Sequence, residues 1–225
     1  AILRAQTFCR RYPFFLKMDV HRFFDSVDHR VLKNQLRGKI KDAKLLRLID
    51  IFIDHPVPWT EPGKGIPIGN LTSQHFANFY LSGLDHFIKE ILRIEGYIRY
   101  MDDLVLFADE KETLWDAAAR IERYLKDKLQ LTHKKDGLLV APITQGLSFL
   151  GYRIFPGVIR LSRPGWRRFR RKVLDRNRMR VNGIIDDEVW TRSMAGLMGH
   201  VKQACTRNLR ASFFQRPGAE EATTV

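Results

Sequence analysis

Two adjacent carboxylates at the centre of an apolar stretch limit most strongly which folds this chain can adopt. Residues 97–107 read Tyr-Ile-Arg-Tyr-Met-Asp-Asp-Leu-Val-Leu-Phe, so that two short apolar or aromatic runs flank Asp102 and Asp103. Such runs around a turn-forming pair predict a β-hairpin. Aspartate favours turns, and that preference alone would explain the pair. A tight turn here would nevertheless concentrate negative charge at one rigid point.

A third carboxylate lies upstream, in a run that predicts a buried strand. Residues 14–20 read Phe-Phe-Leu-Lys-Met-Asp-Val. The alternation of a strand places Asp19 on the face opposite Leu16 and Met18, which can pack on helices. Three carboxylates brought together on a sheet make a site for hard divalent cations. The sequence therefore predicts that Asp19 joins the two hairpin aspartates in a metal site.

Both acidic segments resemble catalytic motifs of reverse transcriptases. The Tyr-Met-Asp-Asp tetrad of residues 100–103 resembles the polymerase signature of that family, and residues 18–29 resemble its first catalytic motif. The two segments occur in the order that the family has. The resemblance implies an RNA-directed DNA polymerase that extends a DNA or RNA primer on an RNA template with deoxynucleoside triphosphates.

The resemblance also implies a two-metal centre. Two Mg²⁺ ions about 4 Å apart, with Mn²⁺ as a substitute, would be held by carboxylates. Asp19 and Asp102 are the expected bridging ligands, Asp103 is expected to assist them, and the Val20 carbonyl is a further candidate ligand.

Two further residues gain roles only through the resemblance. Phe24 matches the steric gate that crowds a ribose 2′-hydroxyl, although an ordinary core aromatic would fit the same pattern. Lys135 is the candidate proton donor to pyrophosphate, with Lys134 as the competing choice.

A loop dense in Gly and Pro precedes a predicted helix. Residues 65–74 read Gly-Ile-Pro-Ile-Gly-Asn-Leu-Thr-Ser-Gln. Such a loop can cradle phosphate at a helix entry, or its glycines can merely shape a turn. Group II intron and retroviral enzymes carry Gln-Gly where this chain has Ile-Gly, and the form seen here is similar to reverse transcriptases of diversity-generating retroelements. The implied nucleotide-binding residues, besides Phe24, are Ile68, Gly69, Gln74 and Tyr100.

The order of strand, helices, hairpin, helix and strand indicates an α+β fold with an antiparallel sheet backed by helices. The resemblance implies a right-hand polymerase palm of ferredoxin-like type, with a remnant of the fingers, over residues 1–160. A small basic helical thumb with a disordered tail would follow over residues 161–225. The chain opens at Ala1 without Met and reaches the first catalytic strand quickly, so we expect an N-terminal truncation that removes most of the fingers.

Two helices bear on the site. One is predicted over residues 28–36, with Asp28 as its N-terminal cap. A longer one is predicted over residues 72–95, ended by Gly96.

Positive charge indicates a polyanionic partner. The chain has 39 Lys and Arg against 25 Asp and Glu, a net charge of +14 and a pI near 10.1, a balance that ribosomal and membrane-surface proteins share. Residues 163–180 hold nine Arg or Lys and one acid. A run of one sign favours contact with nucleic-acid phosphates over a merely solvated helix face. The predicted contacts are Arg163, Arg167, Arg168, Arg170, Arg171 and Lys172.

The cysteines and the lengths of the apolar runs bear on where in the cell the protein acts. Cys9 and Cys205 are too few and too far apart for a zinc site or a disulfide framework, and no apolar run approaches transmembrane length. We therefore expect a cytoplasmic protein without a membrane partner, and the resemblance implies that a bacterium or a phage encodes it.

Three interpretations of function remain open. The first is the reverse transcriptase of a diversity-generating retroelement, which makes error-bearing cDNA and works with a small basic accessory protein. The second is a retron, group II intron or CRISPR-associated reverse transcriptase. The third is an RNA-binding module with a polymerase-like palm and no catalysis.

Overall fold

In a computed structural model of the protein, a four-stranded antiparallel sheet carries both acidic segments. The strands are β1 (Phe14–Asp19), β2 (Gly96–Tyr100), β3 (Asp103–Ala108) and β4 (Leu139–Pro142). Their spatial order is β2-β3-β1-β4. Asp19, at the end of β1, pairs with Asp103 at the start of β3, and Tyr100 at the end of β2 pairs with the same residue.

The structure describes residues 1–215, except for the side chain of Lys135, and the chain divides into two units. The first comprises Ala1 and Arg11–Pro142, and the second comprises Ile2–Arg10 and the chain from Ile143 onward. The tail predicted to be disordered lies outside the described residues. The expected boundary between palm and thumb after residue 160 stays a prediction.

Helices cover the sheet of the first unit. Leu16 and Met18 of β1 are fully buried, and they belong to one core with residues of β3 and of the helices. Lys17 and Asp19 lie on the opposite face of β1, which they share with buried Phe15, and both are half-buried, as the strand alternation predicts. The helices are α2 (Phe23–Ser26), α3 (His29–Arg37), α4 (Ala43–Ile53), α5 (Leu71–Tyr80), α6 (Ser82–His86) and α7 (Lys111–Leu129).

The predicted cap of α3 is confirmed. The Asp28 carboxylate accepts hydrogen bonds from the backbone amides of Arg30 and Val31, at 2.9 and 3.1 Å. These bonds satisfy amides that have no partner within the helix.

The prediction of one helix over residues 72–95 is wrong. The helical path is divided at Leu81 into α5 and α6, and a π-helical segment (Phe87–Ile91) follows. Gly96 does not end a helix; it is the first residue of β2. A Cβ atom there would come within 2.8 Å of the Phe107 Cβ on β3, so the glycine permits close pairing of the strands.

The second unit joins a small sheet to three helices and the first helix of the chain. The elements are α1 (Ile2–Arg11, whose last residue belongs to the first unit), β5 (Leu147–Phe149), β6 (Tyr152–Ile154), β7 (Ile159–Leu161), α8 (Arg163–Val181), α9 (Asp187–Lys202) and α10 (Arg207–Phe214). The antiparallel sheet has the order β5-β6-β7, and the helical core of the unit contains Phe169, Val173, Val201 and Phe213. Within the described part of the chain, no helix combines the length and apolarity that crossing a bilayer requires.

Candidate active site

The three predicted carboxylates lie at one end of the two central strands, β1 and β3, of the four-stranded sheet. Because Tyr100 pairs with Asp103, only Met101 and Asp102 form the loop between β2 and β3. The pairing of β1 with β3 brings Asp19 opposite Asp103. Two segments that are far apart in the sequence thus meet at the hairpin turn.

Asp19 and Asp102 form a close carboxyl pair. The Asp19 carboxyl lies within hydrogen-bonding reach of Asp102. Burial raises the pKa of the Asp102 carboxyl, and the negative charges of Asp19 and Asp103 raise this pKa further. Among the described side chains, no Lys or Arg forms an ion pair with either member of the pair. Oxygen ligands that repel one another in this way fit a hard divalent cation, which would remove the repulsion.

Asp103 forms an ion pair with Lys17. Its Oδ1 atom lies 3.0 Å from the Lys17 Nζ atom, and the two side chains are only 25% and 26% exposed. Within residues 1–215, leaving out the Lys135 side chain, no group of three or more His, Cys, Asp or Glu side chains is arranged to hold a metal ion. The structure therefore brings two of the carboxylates together and directs the third to a lysine. The three-carboxylate centre stays a prediction.

A short bridge at Val20 does not use the Val20 carbonyl, the further candidate metal ligand. Val20 pairs with His133 in this bridge. One of its two hydrogen bonds runs from the His21 amide to the Thr132 carbonyl, at 2.8 Å. The other runs from the Lys134 amide to the Asp19 carbonyl, also at 2.8 Å. The bridge thus uses neighbouring carbonyls and does not engage that of Val20.

The segment that carries the two candidate proton donors is fixed against Asp19. The Lys134 amide bonds to the Asp19 carbonyl, and a 3₁₀ turn (Lys135–Gly137) follows directly. A Cβ atom on Gly137 would lie 3.1 Å from the Asp19 Cβ, so the turn packs closely on the end of β1. Lys134 is exposed, and the Lys135 side chain lies outside the described part of the structure. The choice between the two lysines stays open.

The Gly-rich loop is tied to the segment that follows Asp19. The Ile66 amide donates to the Phe24 carbonyl and the Gly65 amide donates to the Val27 carbonyl, each at 2.9 Å. The imidazole of buried His29 donates from Nε2 to the Gly65 carbonyl at 2.7 Å. Sequence patterns carry no signal for this role of His29, because its partner lies 36 residues away in the chain.

The predicted nucleotide-binding residues differ in accessibility. Ile68 is 71% exposed and Tyr100 is 52% exposed, and Gln74 is exposed as well. Gly69 has φ +100°, a conformation that side chains other than glycine's rarely permit, so the loop needs glycine at this position. Phe24 is half-buried against the core and its ring meets that of Phe23 edge-on at 5.6 Å. An exposed Ile68 is free to contact a ligand because packing does not use it.

Helix α8 presents the basic face that the sequence predicts. Ser162 caps it by accepting a hydrogen bond from the Gly165 amide, and Phe169 and Val173 anchor it in the core. A cavity of about 290 Å³ lies along the helix, and its lining residues are Arg167, Arg170, Arg171, Leu174, Asp175 and Arg178. The predicted phosphate contacts are all exposed, namely Arg163, Arg167, Arg168, Arg170, Arg171 and Lys172.

Comparisons with known proteins bear on the family to which this chain is similar. A family model for reverse transcriptase (RNA-dependent DNA polymerase) matches residues 5–154. A curated Saccharomyces cerevisiae protein named for COX1/OXI3 intron 2 is 22% identical over 220 aligned positions, which cover 68% of this chain and 25% of that protein. The chain therefore corresponds to about a quarter of the length of this relative.

Solved telomerase structures have a similar fold. Apo telomerase from Candida tropicalis, truncated from its C-terminal domain, matches with a TM-score of 0.56 and 14% identity, covering 72% of this chain and 39% of that chain. Telomerase from the same species in complex with a TWJ fragment of telomeric RNA matches with a TM-score of 0.57 and 12% identity, covering 96% of this chain and 42% of that chain. At these identities the likeness concerns the fold alone.

Proposed function

The chain belongs to the reverse transcriptase (RNA-dependent DNA polymerase) family, and from this premise we propose that it contains the polymerase active site of an RNA-directed DNA polymerase. The observation that carries the proposal is the carboxyl pair of Asp19 and Asp102, which the end of β1 and the loop between β2 and β3 bring together. A module that only bound RNA would have no need to keep two repelling carboxylates at a rigid turn.

The carboxyl pair would hold the divalent cations of the reaction. Two Mg²⁺ or Mn²⁺ ions held there would supply charge neutralisation at the primer 3′-hydroxyl and at the leaving pyrophosphate. Asp19 and Asp102 provide the negative charge for this site, with the Val20 carbonyl as a further oxygen. Asp103, which Lys17 neutralises, supports the hairpin and assists the pair.

Other residues position the nucleotide and move a proton. The bond from the Ile66 amide to the Phe24 carbonyl ties the Gly-rich loop to the Phe24 backbone, which supports a shared role of Phe24 and Ile68 in nucleotide binding. Phe24 would crowd a 2′-hydroxyl and favour deoxynucleotides. Lys135, with Lys134 as the competing choice, would give a proton to the pyrophosphate oxygen as it leaves.

The basic face of α8 supports the proposal that this part of the chain is a thumb, which binds the primer–template. Exposed arginines on one helix neutralise phosphates and release counterions, whatever the base sequence. The RNA template, the primer and the deoxynucleoside triphosphates are thus the partners that we propose.

Primer extension by the full-length protein tests the proposed function. With Mg²⁺ and deoxynucleoside triphosphates, a primer annealed to RNA should grow to the end of the template, and excess EDTA should stop it. Ribonucleotides should be added far less well if Phe24 is the gate. A protein that binds the primer–template but adds no nucleotide would instead be an RNA-binding module.

We further propose that the enzyme belongs to a diversity-generating retroelement and is error-prone. The support is the Ile-Gly-Asn-Leu-Thr-Ser-Gln form of residues 68–74. A template and variable repeat pair in the neighbouring DNA would distinguish this class from retron, group II intron and CRISPR-associated enzymes. Its small basic accessory protein belongs to the same proposal.

Replacing Ile68 with Gln is expected to lower the error rate several-fold. Ile offers only shape and apolar contact, whereas Gln can both donate and accept a hydrogen bond near the nascent pair. One such bond is worth on the order of 1 kcal/mol, which limits the effect to several-fold. Sequencing cDNA from both proteins on one template would measure misincorporation opposite adenine.

Leu48→Gln provides the matched control, because Leu48 is an exposed apolar residue on α4 and is 50% exposed. Its error rate should equal that of the wild type. Equal error rates in the Ile68 variant and the wild type would mean that the loop has only a structural role.

A further inference from the structure

Arg99 lies immediately before the Tyr-Met-Asp-Asp tetrad, and the proposed chemistry gives it no task. Its Nε and Nη2 atoms donate to the two carboxylate oxygens of Asp85 on α6, at 2.7 and 2.6 Å. Its Nη1 atom donates to the Asn78 Oδ1 atom on α5 at 3.1 Å and to the Met101 carbonyl at 3.0 Å. One guanidinium thus connects two helices to the catalytic turn.

The carbonyl that Arg99 holds belongs to a strained residue. Met101 has φ +55°, in the left-handed region that residues other than glycine seldom adopt. Such a conformation persists where surrounding contacts determine it. Met101 is the first of the two loop residues and Asp102 is the second, so the conformation of Met101 sets the direction of the Asp102 side chain.

The network is well placed to determine that conformation. The Arg99 side chain is only 11% exposed, and the Asp85 side chain is 33% exposed. The Tyr97 hydroxyl donates to the Asp85 Oδ1 atom at 2.7 Å and fixes the carboxylate from a second direction. A bidentate pair that is shielded from water is stronger and more rigid than an exposed ion pair.

We propose that Arg99 is a positioning residue, which holds the Met101 carbonyl so that the hairpin presents the Asp102 carboxylate to the metal ions. This inference rests on the proposed polymerase function. Arg99 contacts neither substrate nor metal; it acts through the backbone of the turn. Asp85 holds the guanidinium, and Tyr97 fixes the Asp85 carboxylate. The Asn78 Oδ1 atom accepts from the same Nη1 atom that donates to the Met101 carbonyl.

Replacing Arg99 with Lys in the full-length protein tests the proposal. Lys keeps the positive charge beside Asp85 but lacks the fork that also reaches Met101. We expect kcat for single-nucleotide addition to fall by about 10–100-fold, because residues that orient metal ligands have effects of this size. KM for the nucleotide and the affinity for primer–template should stay within about twofold of wild type, because the variant leaves those contacts intact.

Mn²⁺ binding, followed by electron paramagnetic resonance without nucleotide, gives a readout that is independent of activity. We expect the Mn²⁺ concentration at half-saturation to rise in Arg99→Lys. Arg11→Lys is the matched control, because Arg11 also pairs with a carboxylate of this unit, Glu95, in an exposed pair. It should bind Mn²⁺ as the wild type does.

Met101→Gly separates positioning from general stability. Glycine adopts positive φ without strain, so the turn would depend less on Arg99. We expect Arg99→Lys to reduce kcat less in a Met101→Gly background than in the wild-type background. Equal reductions in the two backgrounds, or wild-type kcat and Mn²⁺ binding in Arg99→Lys, would overturn the proposal.

The variant Asp102→Asn shows whether a negative result refutes only the role of Arg99 or the proposed polymerase function as well. If Asp102→Asn loses nucleotide addition while Arg99→Lys behaves as wild type, the polymerase assignment stands and the role of Arg99 is refuted. If Asp102→Asn retains activity, the proposed function itself is refuted, and the role of Arg99 with it.

Discussion

Replacing Asp102 with Asn is expected to abolish nucleotide addition and, at neutral pH without divalent metal, to raise the melting temperature. An amide cannot supply the negative charge that the metal ions require, so activity disappears. Stability rises because ionised Asp102 is buried beside Asp19 and Asp103, which is why its pKa is raised. Each kcal/mol regained by the substitution would appear as roughly 2–4 °C.

The pH dependence of this gain has a definite sign. A carboxyl whose pKa is raised in the folded state destabilises the fold once it ionises. This cost is absent below the pKa of the unfolded chain, about 3.9, and is complete above the raised pKa of folded Asp102. The difference in melting temperature between Asp102→Asn and wild type should therefore vanish as the pH falls below about 4.

Calorimetry in EDTA, with Asp103→Asn as the control, measures the effect. Asp103 has Lys17 as its partner at 3.0 Å, so its removal should not raise the melting temperature. Adding Mg²⁺ should stabilise the wild type and have little effect on Asp102→Asn, since only a site that binds metal gains by mass action. Near-normal primer extension by Asp102→Asn, or a melting temperature below that of the wild type at neutral pH, would contradict the proposed metal site.

Replacing Arg167, Arg168 and Arg171 on α8 with Gln is expected to weaken primer–template binding and to flatten its salt dependence. Each phosphate that the helix no longer neutralises lowers the slope of log K against log salt by about 0.9, so three such phosphates would lower it by about 2–3. The decrease in affinity should be similar for unrelated template sequences, because phosphate contacts carry no sequence information.

Fluorescence anisotropy over a series of salt concentrations would measure both quantities. Arg192, Arg207 and Arg210, on α9 and α10 of the same unit, provide a matched set that removes the same charge elsewhere. If their replacement flattens the slope as much as the α8 replacement does, net charge rather than the α8 face determines binding. An unchanged slope in the α8 variant would make its basic run a solvated surface.

Local features of the site could be predicted from the sequence. The hairpin around Asp102 follows from two apolar runs and a turn-forming pair, and Asp28 caps its helix because the cap needs only neighbouring amides. The α+β class with an antiparallel sheet follows from the order of the elements.

Features that depend on distant partners could not be predicted. The pairing of Lys17 with Asp103 requires the register of two strands that are far apart in the sequence. The Arg99 network requires α6 to lie beside β2. The prediction of one helix over residues 72–95 included Asp85, but it did not indicate that Asp85 would contact Arg99. Helix propensity does not locate the division of that helix at Leu81, because tertiary context can override propensity.

Single-nucleotide addition by Asp19→Asn, compared with Asp25→Asn, tests the central claim most directly. Both variants remove one carboxylate from the same motif, but Asp25 pairs with Arg22 at 3.1 Å, whereas Asp19 lies beside Asp102. We predict that Asp19→Asn adds no detectable nucleotide to a primer on RNA, while Asp25→Asn stays within a few-fold of wild type. Equal activity in the two variants would contradict the claim that the Asp19–Asp102 pair is the polymerase site.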